Sequence, residues 1–280
     1  MFTEYLSEKS AEISPDTVRV YRTDLMDFAN WFERENGQQL APELVTSFDL
    51  RGYLSHLQED RSLKPGTISR RMRTVRGWLK WAGQDVRFPK PPREQKRAPK
   101  CLEKVEQHRL LRAVERYGTK RDMALFRVML SCGLRVGEAV SLKVSDLDIG
   151  KRHGYLTVTR GKRNKRRTVP VPPEARHAIR EWLEEHNGSE WLFPGRFNGH
   201  LTERAVRKLA KKYAQLAGLN AGVKVHPHIL RHTCAMNLIR AGHDISTVAA
   251  VLGHENITTT AIYTMPTEKD LARALEGAEV

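Results

Sequence analysis

Apolar residues recur at three- and four-residue spacing through most of this 280-residue chain, so the pattern predicts a largely helical protein. Ser14-Pro15 opens the first clear helix, with serine suited to the N-cap and proline to the first helical position. Tyr21, Leu25, Phe28 and Phe32 follow on one face, and Asn36-Gly37 ends it. A second helix is expected over 48–58, carrying Leu50, Leu54 and Leu57. After the connector Leu63-Lys64-Pro65-Gly66, a third covers 65–82, with Ile68, Met72, Val75 and Leu79 as its stripe.

Periodicity then stops. From Phe88 to Lys100 the chain is rich in proline and basic residues, which favours an extended, semi-rigid linker. It divides a small helical domain, 1–87, from a larger one over 101–280. The larger domain reads as helices over 103–116, 122–131 and 135–142. Two β-type runs follow, 155–159 and 168–171, joined by a turn at 161–164. Helices resume over 174–186, 202–217, 229–241, 245–252, 257–263 and 268–275. The fold class is therefore mainly α, with one small sheet in the second domain.

Charge changes the picture. A net charge of +15 and a pI near 9.9 point to a polyanionic partner, most simply nucleic acid. Arg70, Arg73 and Lys80 lie off the apolar stripe of the third helix with no acids interleaved, which favours a DNA-facing surface over a merely solvated one. No apolar run approaches the roughly 18 residues of a membrane span, and the N-terminus lacks a signal core. The expected location is cytoplasmic, on the nucleoid. Cys101, Cys132 and Cys234 are widely spaced and read as reduced core thiols.

The candidate chemistry gathers in 225–264, where His228, Arg231, His254 and Tyr263 fall close together. Phosphodiester exchange needs a nucleophile, cationic donors for the non-bridging oxygens, and an acid for the leaving 5′ oxygen. Metal-dependent enzymes meet the need with clustered carboxylates, but here the acids are scattered. That favours metal-free chemistry through a protein nucleophile. Arg135 follows Gly133 at a helix start and suits a bidentate phosphate grip, with Glu138 one turn on to orient it. Arg231 sits three residues after His228 on one helical side. The turn T-R-G-K-R-N-K-R-R offers a lysine as general acid, Lys162 or Lys165, and phosphate contacts from Arg160, Arg163 and Lys165; Arg166 and Arg167 belong to the same basic run. His228 and His232 have zinc-ligand spacing, but Ile229 stands where the glutamate of that motif belongs, so no metal is expected. Tyr263 needs a base or cations nearby, because a phenol titrates near 10.

The ordered set G-L-R-V-G-E, G-K in a basic hairpin, H-I-L-R-H, L-G-H, and a tyrosine nine residues after that histidine resembles the tyrosine recombinase (phage integrase) family, in its short Xer-like form. The resemblance covers nearly the whole chain. It implies a helical core-binding (SAM-like) domain and a catalytic domain that clamp double-stranded DNA. It also implies a site-specific recombinase working through a 3′-phosphotyrosyl link and a Holliday junction, without cofactor. By resemblance Arg135 and Arg231 grip the phosphate, Lys162 is the general acid, and His228 is a base or relay. His254 bonds the scissile phosphate, Tyr263 attacks, and Glu138 supports. The family further implies a homotetramer on two sites, or alternation with a paralogue, accessory proteins in some systems, and a C-terminal helix that docks on a neighbour. The chain is expected to start at the core-binding domain, without an arm-binding domain. The competing readings are a type IB topoisomerase-like nicking-closing enzyme and a catalytically silent DNA-binding architectural protein.

Overall fold

The computed structural model describes residues 2–92, 98–159, 166–196, 199–219, 225–254, 256–265 and 275–276. Two compact units divide the chain, Met1–Lys96 and Arg97–Val280. The protein is mostly helical with one three-stranded sheet.

The first unit holds α1 (Thr3–Ser10), α2 (Pro15–Asn36), α3 (Ser47–Gln58) and α4 (Pro65–Trp81). The local signals act as their chemistry dictates. Ser14 accepts from the Thr17 N–H at the start of α2, and Gly37 takes the left-handed conformation at its end. Thr46 and Asp49 cap α3 reciprocally. Leu25, Phe28, Phe32, Leu50, Tyr53, Leu57, Val75, Trp78 and Leu79 form the core. α1 escapes the sequence pattern because it is short and its buried residues, Tyr5 and Leu6, are adjacent rather than periodic.

One expectation about α4 changes here. Arg70 does not simply face outward: its guanidinium pairs with Asp24 of α2, which is 1% exposed, and Arg71 beside it pairs with Asp27. Thr74 also donates to Asp24, and Tyr53 to Asp27. The acids absent from α4 are supplied by its neighbour. Arg73 and Lys80 remain exposed on the same helix.

The second unit is built around α6 (Lys120–Cys132), which packs against α5 (Lys104–Tyr117), α8 (Pro173–Glu184) and α10 (Pro227–Arg240). α6 buries Ala124, Leu125, Phe126, Val128, Met129, Leu130 and Cys132, as its apolar sequence requires. Short α7 (Val136–Val140), α9 (Glu203–Leu216) and α11 (Ile245–Leu252) complete the described α-helices. β1 (Leu147–Ile149), β2 (Gly154–Val158) and β3 (Arg167–Pro170) pair antiparallel in chain order. Leu156 lies opposite Leu147 and Val169. β1 was not expected, since three residues are too few to show an alternation. The 257–263 segment is not an α-helix: it forms two 3-10 turns, Ile257–Thr259 and Ala261–Thr264. A run of three threonines, β-branched and stiff, disfavours the α-helix there. Of the helix expected over 268–275, only Leu275 is among the described residues, and it is 72% exposed. Among the described residues, no helix is long and apolar enough to cross a membrane.

Candidate active site

The site begins where α6 ends. Gly133 adopts φ 62°, and a Cβ there would lie 2.7 Å from Leu252 and 3.2 Å from the Cys234 sulfur. Only glycine fits that turn. The chain leaves it so that Arg135 becomes the N-cap of α7 and Glu138 its third residue. Glu138 accepts the Arg135 backbone N–H and Nη1, both at 2.8 Å.

Glu138 does more than orient Arg135. Arg167, at the start of β3, donates both terminal nitrogens to its two oxygens at 2.9 Å each. Arg231 Nη1 lies 3.9 Å from the same carboxylate. Three guanidiniums from α7, β3 and α10 thus surround one buried acid. Burial pushes the Glu138 carboxyl up, but the hydrogen bonds from Arg167 and Arg135 outweigh it and hold it below its ordinary range. Arg167 is therefore not a free phosphate contact, as its place in the basic run had suggested. It also covers Gly253, where a Cβ would meet its Nε at 2.7 Å.

Arg231 is 4% exposed. Its Nη1 donates to the Gly133 carbonyl at 2.6 Å and its Nη2 to the Leu252 carbonyl at 2.8 Å. Those carbonyls belong to the C-terminal ends of α6 and α11, where a cation is favoured by the helix dipole. Burial, then Arg135, brings the Arg231 pKa down to about 10, so it stays charged at neutral pH.

After α11, Gly253 turns the chain at φ 66° and His254 follows. His254 Nδ1 is hydrogen-bonded to the buried Thr260 hydroxyl at 2.8 Å. The Tyr263 N–H donates to the Thr260 carbonyl, and the last 3-10 turn returns the tyrosine to α10. Its ring packs with Ala235, Met236, Val248 and Leu252 and is 3% exposed. The phenol is hydrogen-bonded to His232 Nδ1 at 2.7 Å. His228 is exposed on the same helix, its ring centre 6.2 Å from that of His232.

Arg135, Glu138, Arg231, His254 and Tyr263 are thus joined through a few bonds, with His228 at the edge. Arg160, Lys162, Arg163 and Lys165 lie outside the described residues. His232 is the contact that sequence reasoning missed: it was weighed only as a zinc ligand. Among the described residues, no three His, Cys, Asp or Glu side chains are placed to share a metal ion.

Burial raises the Tyr263 phenol; Arg231 and Arg135 do ease its ionisation, as expected of neighbouring cations, but not enough to offset that burial. Burial also pushes the Cys132 thiol up, and the Cys234 thiol up to about 12, the opposite of an activated nucleophile. The histidines move the other way. Burial, then Arg231 and Arg135, depress His254 to about 4. Burial, then His228, His226 and Arg231, depress His232 to about 4.

Those depressed histidines predict a pH dependence of stability. Unfolded histidine binds its proton near 6.5, whereas His232 and His254 in the folded state bind theirs only near 4. Between these values the unfolded chain holds more protons, so stability falls as pH falls. Urea midpoints of the 97–280 unit are expected to be level above pH 7 and to decline steadily from 6.5 towards 4. Replacing both histidines by glutamine should flatten that decline; an unaltered decline would assign it to other groups.

Comparisons with known proteins identify the family. Residues 100–270 match the model of the phage integrase family, and residues 1–85 that of its N-terminal SAM-like domain. A tyrosine recombinase XerC of Oceanobacillus iheyensis is 34% identical over 98% of this chain and 92% of its own length. Another XerC, of Xanthomonas campestris pv. campestris, is 33% identical over 95% and 84%. Among solved structures, XerH bound to palindromic difH in a post-cleavage complex superposes with a TM-score of 0.79 at 21% identity, over 97% of this chain and 82% of that one. XerA recombinase superposes with a TM-score of 0.56 at 26% identity, over 99% of both chains. With both units matched and relatives aligned almost end to end, the chain belongs to the phage integrase family of tyrosine recombinases, enzymes that cut and rejoin DNA.

Proposed function

We propose that this chain recombines specific duplex sites by attack of Tyr263 on a DNA phosphate. The observation that carries the reading is the meeting of Arg135 and Arg231 at Glu138, beside a phenol delivered by the Ala261–Thr264 turn. Two charged guanidiniums fixed before substrate arrives suit the non-bridging oxygens of a phosphorane-like transition state. His254, neutral at pH 7 and bonded through Nδ1, offers Nε2 to a phosphate oxygen. Lys162 protonates the leaving 5′ oxygen, and the product is a 3′-phosphotyrosyl link. Its energy is conserved for rejoining, so no nucleotide cofactor is needed. In this reading four protomers assemble on two sites and exchange strands through a Holliday junction.

The test is a nicked suicide duplex whose sequence this chain selects from a random pool. Covalent protein–DNA adduct is expected to accumulate in excess EDTA. Adduct that forms only with an added divalent ion would replace this reading with a metal-assisted one.

Both units contribute to duplex binding in this reading. Each cationic contact with phosphate lowers the slope of log K against log salt by about 0.9. Arg73→Ala together with Lys80→Ala should therefore shallow the slope by up to about 1.8, since both side chains are exposed on α4. Arg70→Ala should chiefly lower stability, by stranding buried Asp24. An unchanged slope in the double variant would remove this face of α4 from the interface.

A further inference from the structure

We infer that His232 is the base that takes the phenolic proton as Tyr263 attacks phosphorus. The inference rests on the reading of Tyr263 as nucleophile and adds the residue that serves it. The hydrogen bond is direct: His232 Nδ1 lies 2.7 Å from the Tyr263 oxygen, and the rings are 5.6 Å apart between centres. A base must stand within hydrogen-bond reach of the proton it removes, and geometry precedes pKa in choosing it. His228, the histidine that the resemblance offers for this role, is exposed, and its ring centre lies 6.2 Å from that of His232.

The chemistry of the surroundings supports the assignment. Tyr263 is 3% exposed and its phenol stays protonated at neutral pH, so attack needs a base at hand. His232 is neutral there, because burial and the neighbours His228, His226 and Arg231 disfavour its cation. A neutral imidazole has one nitrogen that accepts, and in the inferred reaction that nitrogen is Nδ1, with the tyrosine hydroxyl 2.7 Å away donating to it. The groups that act on this ring are His226 at the N-cap of α10, His228 and Arg231 of α10, Tyr263 of the last turn, and His254 after α11. In the forward step the O–H bond of Tyr263 breaks towards His232 as the oxygen–phosphorus bond forms. The bond from phosphorus to the 5′ oxygen breaks, and that oxygen takes a proton from the general acid. The imidazolium left beside Arg231 is costly and passes its proton outward, with exposed His228 as the next ring. On rejoining, the attacking 5′ hydroxyl gives its proton to the conjugate base of the general acid, and the proton passed outward comes back to His232, which delivers it to the leaving phenolate, so one residue serves both directions.

His232→Gln tests this. Glutamine can hold the phenol by a hydrogen bond but cannot take its proton. On the suicide duplex the variant is expected to bind as the wild type does and to form adduct about 100-fold more slowly at pH 7. Its rate should rise about tenfold per pH unit from 7 to 9, as solvent hydroxide replaces the base, while the wild-type rate stays flat. The defect should persist on a duplex with a 5′-bridging phosphorothiolate, whose leaving sulfur needs no proton. A wild-type rate, a slow rate with a flat pH profile, or full rescue by the phosphorothiolate would each overturn the inference. His228→Gln, at an exposed position, is the second variant: a smaller loss and a flat profile are expected. A tenfold rise per pH unit in that variant assigns the base to His228 instead. If wild type forms no adduct, or Tyr263→Phe still forms one, the nucleophile reading itself fails; adduct in wild type alone isolates the question of His232.

Discussion

Tyr263→Phe is expected to bind its duplex with unchanged affinity and to form no covalent adduct. The substitution removes one oxygen from a ring held by Ala235, Met236, Val248 and Leu252, so the packing of the last turn survives. It also removes the hydrogen bond to His232, a loss of about 1 kcal/mol at most, because that half-buried imidazole keeps access to water. Adduct formation should fall by at least about 10⁴-fold, the scale on which enzymes lose rate with their nucleophile. Gel shift and denaturing gel on one sample separate binding from chemistry. Residual adduct at even a hundredth of the wild-type rate would place the nucleophile elsewhere.

Glu138→Ala is expected to damage both stability and chemistry. The carboxylate is 4% exposed and receives Arg135 and Arg167, with Arg231 at 3.9 Å. Removing it leaves three guanidiniums facing one another without an anion. Breaking a buried ion pair in this way costs about 3 kcal/mol or more, partly relieved because Arg135 reaches solvent. The same loss frees Arg135 from its fixed position, while the Gly133 and Leu252 carbonyls still hold Arg231, and one misplaced oxyanion donor costs about 10²–10³ in rate. Urea unfolding and the adduct rate should therefore both change. A variant with wild-type stability and a slow rate would mean that Glu138 acts on the phosphate site alone; wild-type stability together with a wild-type rate would deny it either role.

Much of the fold is legible in the sequence, and the omissions have physical reasons. α2, α3 and α4 each bury one face, so their stripes read out directly. α10 is buried on most sides, from Pro227 to Met236, and such a helix carries little periodicity to read. Its one buried cation, Arg231, was the better signal. α1 and β1 are too short to show a period, and the threonine run before Tyr263 gave way to 3-10 turns. Local pattern also says nothing of partners far along the chain. Arg70 meets Asp24 across 46 residues, Arg167 meets Glu138 across 29, and His232 meets Tyr263 across 31. Each of those pairs redirects a residue that, in sequence, reads as a free cation or a metal ligand. Arg135, Glu138, Arg231, His254 and Tyr263, singled out in the sequence by motif order, nonetheless lie together in the fold.

The position of the covalent bond tests the central claim most directly. Adduct trapped on the suicide duplex, digested with nuclease and protease, can be sequenced by mass spectrometry. The account predicts a nucleotide esterified through its 3′ phosphate to Tyr263 and a free 5′ hydroxyl on the other DNA end. A nucleotide on a histidine, on Cys132 or Cys234, or on another tyrosine, or a link through a 5′ phosphate, would contradict it.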